Sequence, residues 1–148
     1  MMPPAPDPLQ RFVQAQERDY AQALAELRAG RKTSHWIWYV LPQLRGLGQS
    51  HLSQHYGLSG RDEAQAYAAH ALLGPRLVEC VQAMLGHAEL GATQILGEVD
   101  ALKFRSCLTL FAEVASSEPC YQAALQRFYG GERDPATLRL LGVAHRGC

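Results

Sequence analysis

No uninterrupted apolar run in this 148-residue chain approaches the roughly 20 residues that a membrane-crossing helix requires, so a helical span is excluded. An excess of charge of one sign is also missing. The 14 basic and 14 acidic residues cancel, which leaves no overall cationic field for a nucleic-acid backbone or an anionic membrane, although a local basic pocket is still allowed. The four cysteines, Cys80, Cys107, Cys120 and Cys148, form no CxxC pair, and in a reducing compartment such spacing favours free thiols. Cys80 and Cys107 have apolar neighbours and are expected to be buried, and Cys148 to be exposed. The first residues, MMPPAPDP, lack the basic and apolar regions of a secretory signal, so a cytoplasmic location is the expectation.

Strand patterns are scarce as well. Only HWIWYVL at 35–41 is rich in strand formers, and a lone strand would leave its backbone amides without partners. Elsewhere the punctuation is helical. Asp7-Pro8 predicts the start of a first helix, with Gln10 at capping-box spacing and Gly30 as its stop. Along it Leu9, Phe12, Val13, Tyr20, Leu24 and Leu27 share one face, and Arg11, Gln14, Glu17, Arg18 and Glu26 are expected opposite. Ser34 can cap a short helix to Leu41, ended by Pro42; a buried strand is the alternative there.

Short helices follow at 50–56 and 59–70, and a longer one runs from Gly74-Pro75 to Gly86. Residues 89–97 are poorly determined by pattern. Asp100 is expected to cap a helix to Ser116 that buries Phe104, Cys107, Leu108, Phe111 and Val114. Ser117-Glu118-Pro119 and Asp134-Pro135 open the last two. The expected fold is all-α, a compact single-domain multi-helix orthogonal bundle over 7–142, between a proline-rich lead-in at 1–6 and a tail at 143–148.

The unusual chemistry collects at 30–57, which holds both tryptophans and three of the six histidines. In a helical 34–41, His35, Trp38 and Tyr39 share a neighbourhood, while Trp36 points elsewhere. Lys32 and His35 flank these aromatics and Gln43 and Arg45 follow, which combines donors with stacking faces. Free amides at a nearby helix start could help hold a phosphate or carboxylate. GLGQS is neither a P-loop nor a dinucleotide fingerprint, and its glycines are read as a turn. His51 and His55 are four apart but lack the further ligands a metal needs, so no metal and no cofactor is expected. Asp100 and Lys103 are three apart, with Ser106 a further three on. Were Asp100 and Lys103 to face Lys32 and His35, burial could make the pair a general acid or base.

Nine stretches also carry a resemblance: RFxxAQ at 11–16, GRK at 30–32, SHWIW at 34–38, PQLxGLGxS at 42–50, EAxxY at 63–67, HxxLGxRL at 70–77, DxxKxxS at 100–106, TLF at 109–111 and DxxTL at 134–138. Together with Tyr20 they make the chain similar to a bacterial and eukaryotic family catalogued as domain of unknown function 1810. The resemblance implies a small, single-domain, all-helical protein and transfers no catalytic residue. A calpastatin-like label attached to some members is set aside, because the chain has no extended inhibitory repeat. Its signature positions include the polar residues Lys32, His35, Gln43, Asp100 and Lys103.

The leading expectation is a domain that binds a small anionic metabolite, nucleotide-like or ADP-ribose-like. Lys32 and Arg45 would hold the anion, Trp36 or Trp38 would stack on a ring, and Gln43 and Ser106 would complete the binding set. His35, Asp100 and Lys103 are the candidates for proton transfer. The alternative is a non-enzymatic protein-interaction domain whose polar signature is structural and whose apolar patch lies around Trp38 and Tyr39. RNA binding is disfavoured by the neutral charge. Oligomeric state is not encoded in these patterns.

Overall fold

A computed structural model of the chain describes residues 7–143; the expected lead-in at 1–6, most of the tail and Cys148 lie outside the described residues. Nine helices are found among them: α1 (Gln10–Ala29), α2 (Ile37–Val40), α3 (His51–Tyr56), α4 (Arg61–Ala69), α5 (Leu73–Leu85), α6 (Ala92–Leu96), α7 (Glu98–Val114), α8 (Pro119–Tyr129) and α9 (Pro135–Leu141). The described residues include no strand, only one isolated bridge between Leu44 and Leu58. The fold is all-α. No helix among the described residues is long and apolar enough to cross a membrane.

Several ends follow from local chemistry. Gly30 closes α1 at φ +79°, with its own N–H on the Leu27 carbonyl and that of Arg31 on Glu26. This is the left-handed end that glycine adopts without a Cβ penalty. A Cβ on Gly30 would also lie 2.8 Å from Leu90 Cδ1. The Glu118 and Asp134 side chains accept from the Cys120 and Thr137 amides, so α8 and α9 start at proline as the sequence predicts.

Other starts differ from expectation. The Asp7 carboxylate accepts from the Leu9 amide at 3.0 Å, closing a turn that precedes α1, so Pro8 lies outside the helix. Asp100 does not cap α7; the helix begins two residues earlier behind Gly97 and takes Asp100 into its first turn. The anticipated helix at 34–41 contracts to the single turn α2, and it is not a strand. His70 stops α4, and its Nδ1 accepts from the Leu72 and Leu73 amides at the start of α5.

The long α7 lies at the centre, packed on α4, α6, α8 and α9, and its Phe104, Cys107, Leu108, Leu110 and Phe111 are fully enclosed. An aromatic chain joins the layers: Phe12 to Tyr67 at 5.1 Å, Tyr67 to Phe111 at 5.6 Å and Phe111 to Tyr121 at 5.6 Å. Cys80, Cys107 and Cys120 are buried free thiols within this core. Helices α4 and α5 approach closely at Gly74, where a Cβ would stand 2.2 Å from the Ala68 carbonyl oxygen.

Candidate functional site

The site begins with a carboxylate near the end of α1. Glu26 is buried, and its two oxygens accept from the Thr33 amide at 2.7 Å, the Ser34 amide at 3.0 Å, the Trp36 indole at 3.0 Å, Gln22 at 2.8 Å and the Ser34 hydroxyl. Burial opposes its ionisation, but the donors from Ser34, Gln22, Thr33 and Trp36 outweigh that and hold the carboxyl well below the usual carboxylate range. The Thr33 and Ser34 amides therefore need no helix to be satisfied. Trp36 is fixed in the core by its N–H and offers no open ring face, which removes it from the expected stacking set.

The same segment delivers Lys32. Its amide donates to the Ile95 carbonyl at 2.8 Å, and its ammonium reaches the Ser34 carbonyl at 2.6 Å and Asp100 at 2.8 Å, with the side chain only 7% exposed. Asp100 also meets the Lys103 ammonium at 3.6 Å, and Lys103 keeps 22% of its side chain in solvent. Each cation rests on an aromatic: Lys32 lies 5.1 Å from the Trp36 ring centre and Lys103 5.0 Å from that of Trp38. Trp38 is half-buried, and its indole nitrogen is buried without a hydrogen-bond partner among the described residues.

A groove of about 500 Å³ opens between 32–35 and 96–100, lined by Lys32, Ser34, His35, Leu96, Glu98 and Asp100 among others. His35 is exposed on its edge, and its carbonyl accepts from the Tyr39 hydroxyl at 3.2 Å. Tyr39 is buried, and its hydroxyl also donates to Asp19; burial and this bond push the phenol up to about 12. At its α7 edge the groove meets the first amides of that helix, which have no carbonyl one turn behind them.

The structure thus gathers Lys32, His35, Trp38, Asp100 and Lys103, and sends three expected members elsewhere. Arg45 lines a different groove, of about 520 Å³, with Arg11 and His55, and its Nε donates to the Gln54 carbonyl. The cause is backbone pairing: the Arg45 amide donates to Leu58 and the Leu58 amide to Gln43, which directs 43–45 toward α3. Gln43 is buried in the same turn. Ser106 donates to Asp134 and to the Leu102 carbonyl, so it joins the seam between α7 and α9. Gly48 is there for packing, since a Cβ would stand 2.5 Å from the Ser53 hydroxyl.

The expected face of α1 also needs correcting. Glu26 is the hub of the site, and Arg11 is clamped on Glu63 at 2.9 Å and on the Gly57 carbonyl at 3.1 Å. A signal for Glu26 did exist: a carboxylate in the last turn of a helix faces the negative end of the dipole, so it needs local donors to be tolerated. His51 and His55 stack with ring centres 6.1 Å apart. Among the described residues no group of three or more His, Cys, Asp or Glu is placed to hold a metal ion.

A family model described as "Protein of unknown function (DUF1810)" matches residues 6–141. Among solved structures, the chain is similar to the conserved hypothetical protein Rv1873 from Mycobacterium tuberculosis. The two are 47% identical over 92% of this chain and 97% of that one, with a TM-score of 0.89. No curated protein matches.

Proposed function

The chain belongs to the DUF1810 family of proteins of unknown function, and from the charge balance at the start of α7 we propose that it binds a small anionic metabolite bearing a planar ring, nucleotide-like or ADP-ribose-like. The observation that carries this reading is that two ammonium groups share one carboxylate. Asp100 holds Lys32 at 2.8 Å but Lys103 only at 3.6 Å, so the positive charge of Lys103 is the less compensated of the two. An anionic oxygen beside Lys103 completes the balance, and a charge-assisted bond there is stronger than a neutral one.

Trp38 supports the same placement. Buried donors nearly always have partners; its indole nitrogen has none among the described residues, and its ring lies 5.0 Å from the Lys103 ammonium. Glu98 lines the groove and repels an anion there, whereas Lys103 stands outside that lining, beyond Asp100; the charged group is therefore assigned to the Lys103 end and the apolar part to Leu96 and Val99. His35, Asp100 and Lys103 are the groups available for proton transfer if a bound metabolite is turned over.

A second reading, a protein-interaction domain, rests on Val99 and Leu102, large apolar residues of α7 that are 66% and 64% exposed. Its expected patch does not include Tyr39, which is buried.

Thermal shift against nucleotides, ADP-ribose and sugar phosphates separates the two. A ligand at 100 times its Kd adds about 2.7 kcal/mol to stability, and the upward shift in Tm is expected to vanish in Lys103→Met. Methionine keeps an apolar stem over Trp38, so that variant should melt near the parent. A folded parent that none of these compounds shifts, or a shift that Lys103→Met preserves in full, overturns the metabolite reading.

A further inference from the structure

A third groove lies at the other end of α7. With 17 residues, that helix spans roughly 25 Å at 1.5 Å per residue, so the two places are well separated. This groove, about 560 Å³, is formed where α5, the α7–α8 connection and α8 meet, with Pro75, Val78, Glu79, Ala115, Glu118 and Tyr121 in its lining. Its size falls in the range of small-molecule sites, about 300–1,000 Å³.

Tyr121 marks it as more than a surface dent. The residue is 1% exposed, its ring is held against Phe111, and it lines the groove. Its hydroxyl makes no hydrogen bond with any described residue, whereas the enclosed hydroxyl of Tyr67 takes one from Gln16. Burial pushes the phenol up, so it stays a neutral hydroxyl. Only the ring is sealed; the hydroxyl oxygen reaches the groove, where a group that enters can bond it.

The charge around it has one sign. No lysine, arginine or histidine lines the groove, and two carboxylates do. One oxygen of Glu118 accepts from the Cys120 amide at 3.0 Å, and the other is engaged by no described residue. Glu79 accepts from the Tyr20 hydroxyl and faces Arg28 at 3.6 Å, so its charge is the more compensated. The C-terminal carbonyls of α7 add the negative end of a helix dipole beside Ala115.

We propose that this groove takes an alkylammonium group, its N–H donors shared by the Tyr121 hydroxyl and the Glu118 and Glu79 carboxylates, its aliphatic stem against Pro75 and Val78. An ammonium has three donors and no acceptor. That suits separated single oxygens better than a guanidinium fork, which seeks both oxygens of one carboxylate. The stem is either that of a free amine or that of a lysyl side chain presented by a peptide.

Titration of the ¹⁵N-labelled full chain by NMR tests this with n-butylammonium, n-butanol and Nα-acetyl-lysine methylamide. The expected result is saturable shifts of amides in 74–82 and 115–121 with the two ammonium compounds and none with butanol. Tighter binding of the lysine derivative assigns a peptide side chain, and tighter binding of butylammonium assigns a free amine. In Tyr121→Phe and in Glu118→Gln, whose amide oxygen can still cap α8, affinity is expected to fall about tenfold. If Tyr121→Phe does not fold, Glu118→Gln alone decides. Absence of saturation, an equal response to butanol, or unchanged affinity in the folded variants overturns the proposal.

Discussion

Glu26→Ala is expected to destabilise the protein by about 3–5 kcal/mol, the range for removing one partner from a buried charged network. The loss comes from what remains. The Thr33 and Ser34 amides and the Trp36 indole all end on this carboxylate, and each donor left unsatisfied in the interior costs about 1–3 kcal/mol. The exposed Thr33 can turn to water, but Trp36 cannot, because it is sealed in the core. Urea unfolding should show a lower midpoint at unchanged slope, the sign of lost stability without a changed unfolded state. A loss under about 1 kcal/mol would mean that water replaces the carboxylate at little cost, within the range of a typical net hydrogen bond.

Acid should produce the same effect in the parent. The folded carboxyl titrates well below its ordinary value, so its contribution is complete above the unfolded pKa, about 4.3, and declines as pH falls toward the folded value. Each pH unit in that window removes about 1.4 kcal/mol. Glu26→Gln lacks this dependence, so the stability curves of parent and variant should converge on acidification below pH ~4. Parallel curves would show that the depressed carboxyl is elsewhere.

The second large effect is at Asp100. Asp100→Ala leaves the nearly buried Lys32 ammonium with the Ser34 carbonyl as its remaining partner and a second cation, Lys103, on the vacated side. Stranding a charge in this way costs about 3–5 kcal/mol, whereas exchanging the whole pair for apolar groups is often near neutral. Lys32→Met combined with Asp100→Ala is therefore expected to be more stable than Asp100→Ala alone. A double-mutant cycle in urea should give a coupling above about 1.5 kcal/mol. Simple additivity would show that Lys32 draws its stability from Trp36 and the Ser34 carbonyl, with Asp100 incidental.

How much of this was legible in the sequence depends on the range of the interactions. Caps are local, so Glu118-Pro119, Asp134-Pro135 and Gly30 mark their helix ends correctly. On α7 the expected Phe104, Cys107, Leu108 and Phe111 are buried, because a 3.6-residue period survives in any packing partner, while Val114 at the helix end is only half-buried. The helix expected at 34–41 failed at its start, since the Ser34 amide is satisfied by a carboxylate eight residues upstream that no local rule connects to it.

The site was legible as a list of residue types, not as a set of neighbours. Lys32, His35, Trp38, Asp100 and Lys103 do share one place, but their meeting depends on the Lys32 amide pairing with Ile95. Arg45 and Gln43, close in sequence to that group, are carried away by their pairing with Leu58. Ser106, one helical turn beyond Lys103, answers instead to Asp134, 28 residues later.

The Glu26 hub also bears on time. Irregular segments ordinarily open to solvent in small, frequent fluctuations, while core helices open only when the whole domain does. Residues 33 and 34 belong to no helix, yet their amides point at a buried anion. Their hydrogens should exchange with deuterium at the pace of the α7 core, and this stretch of loop should be among the last parts of the chain to come apart.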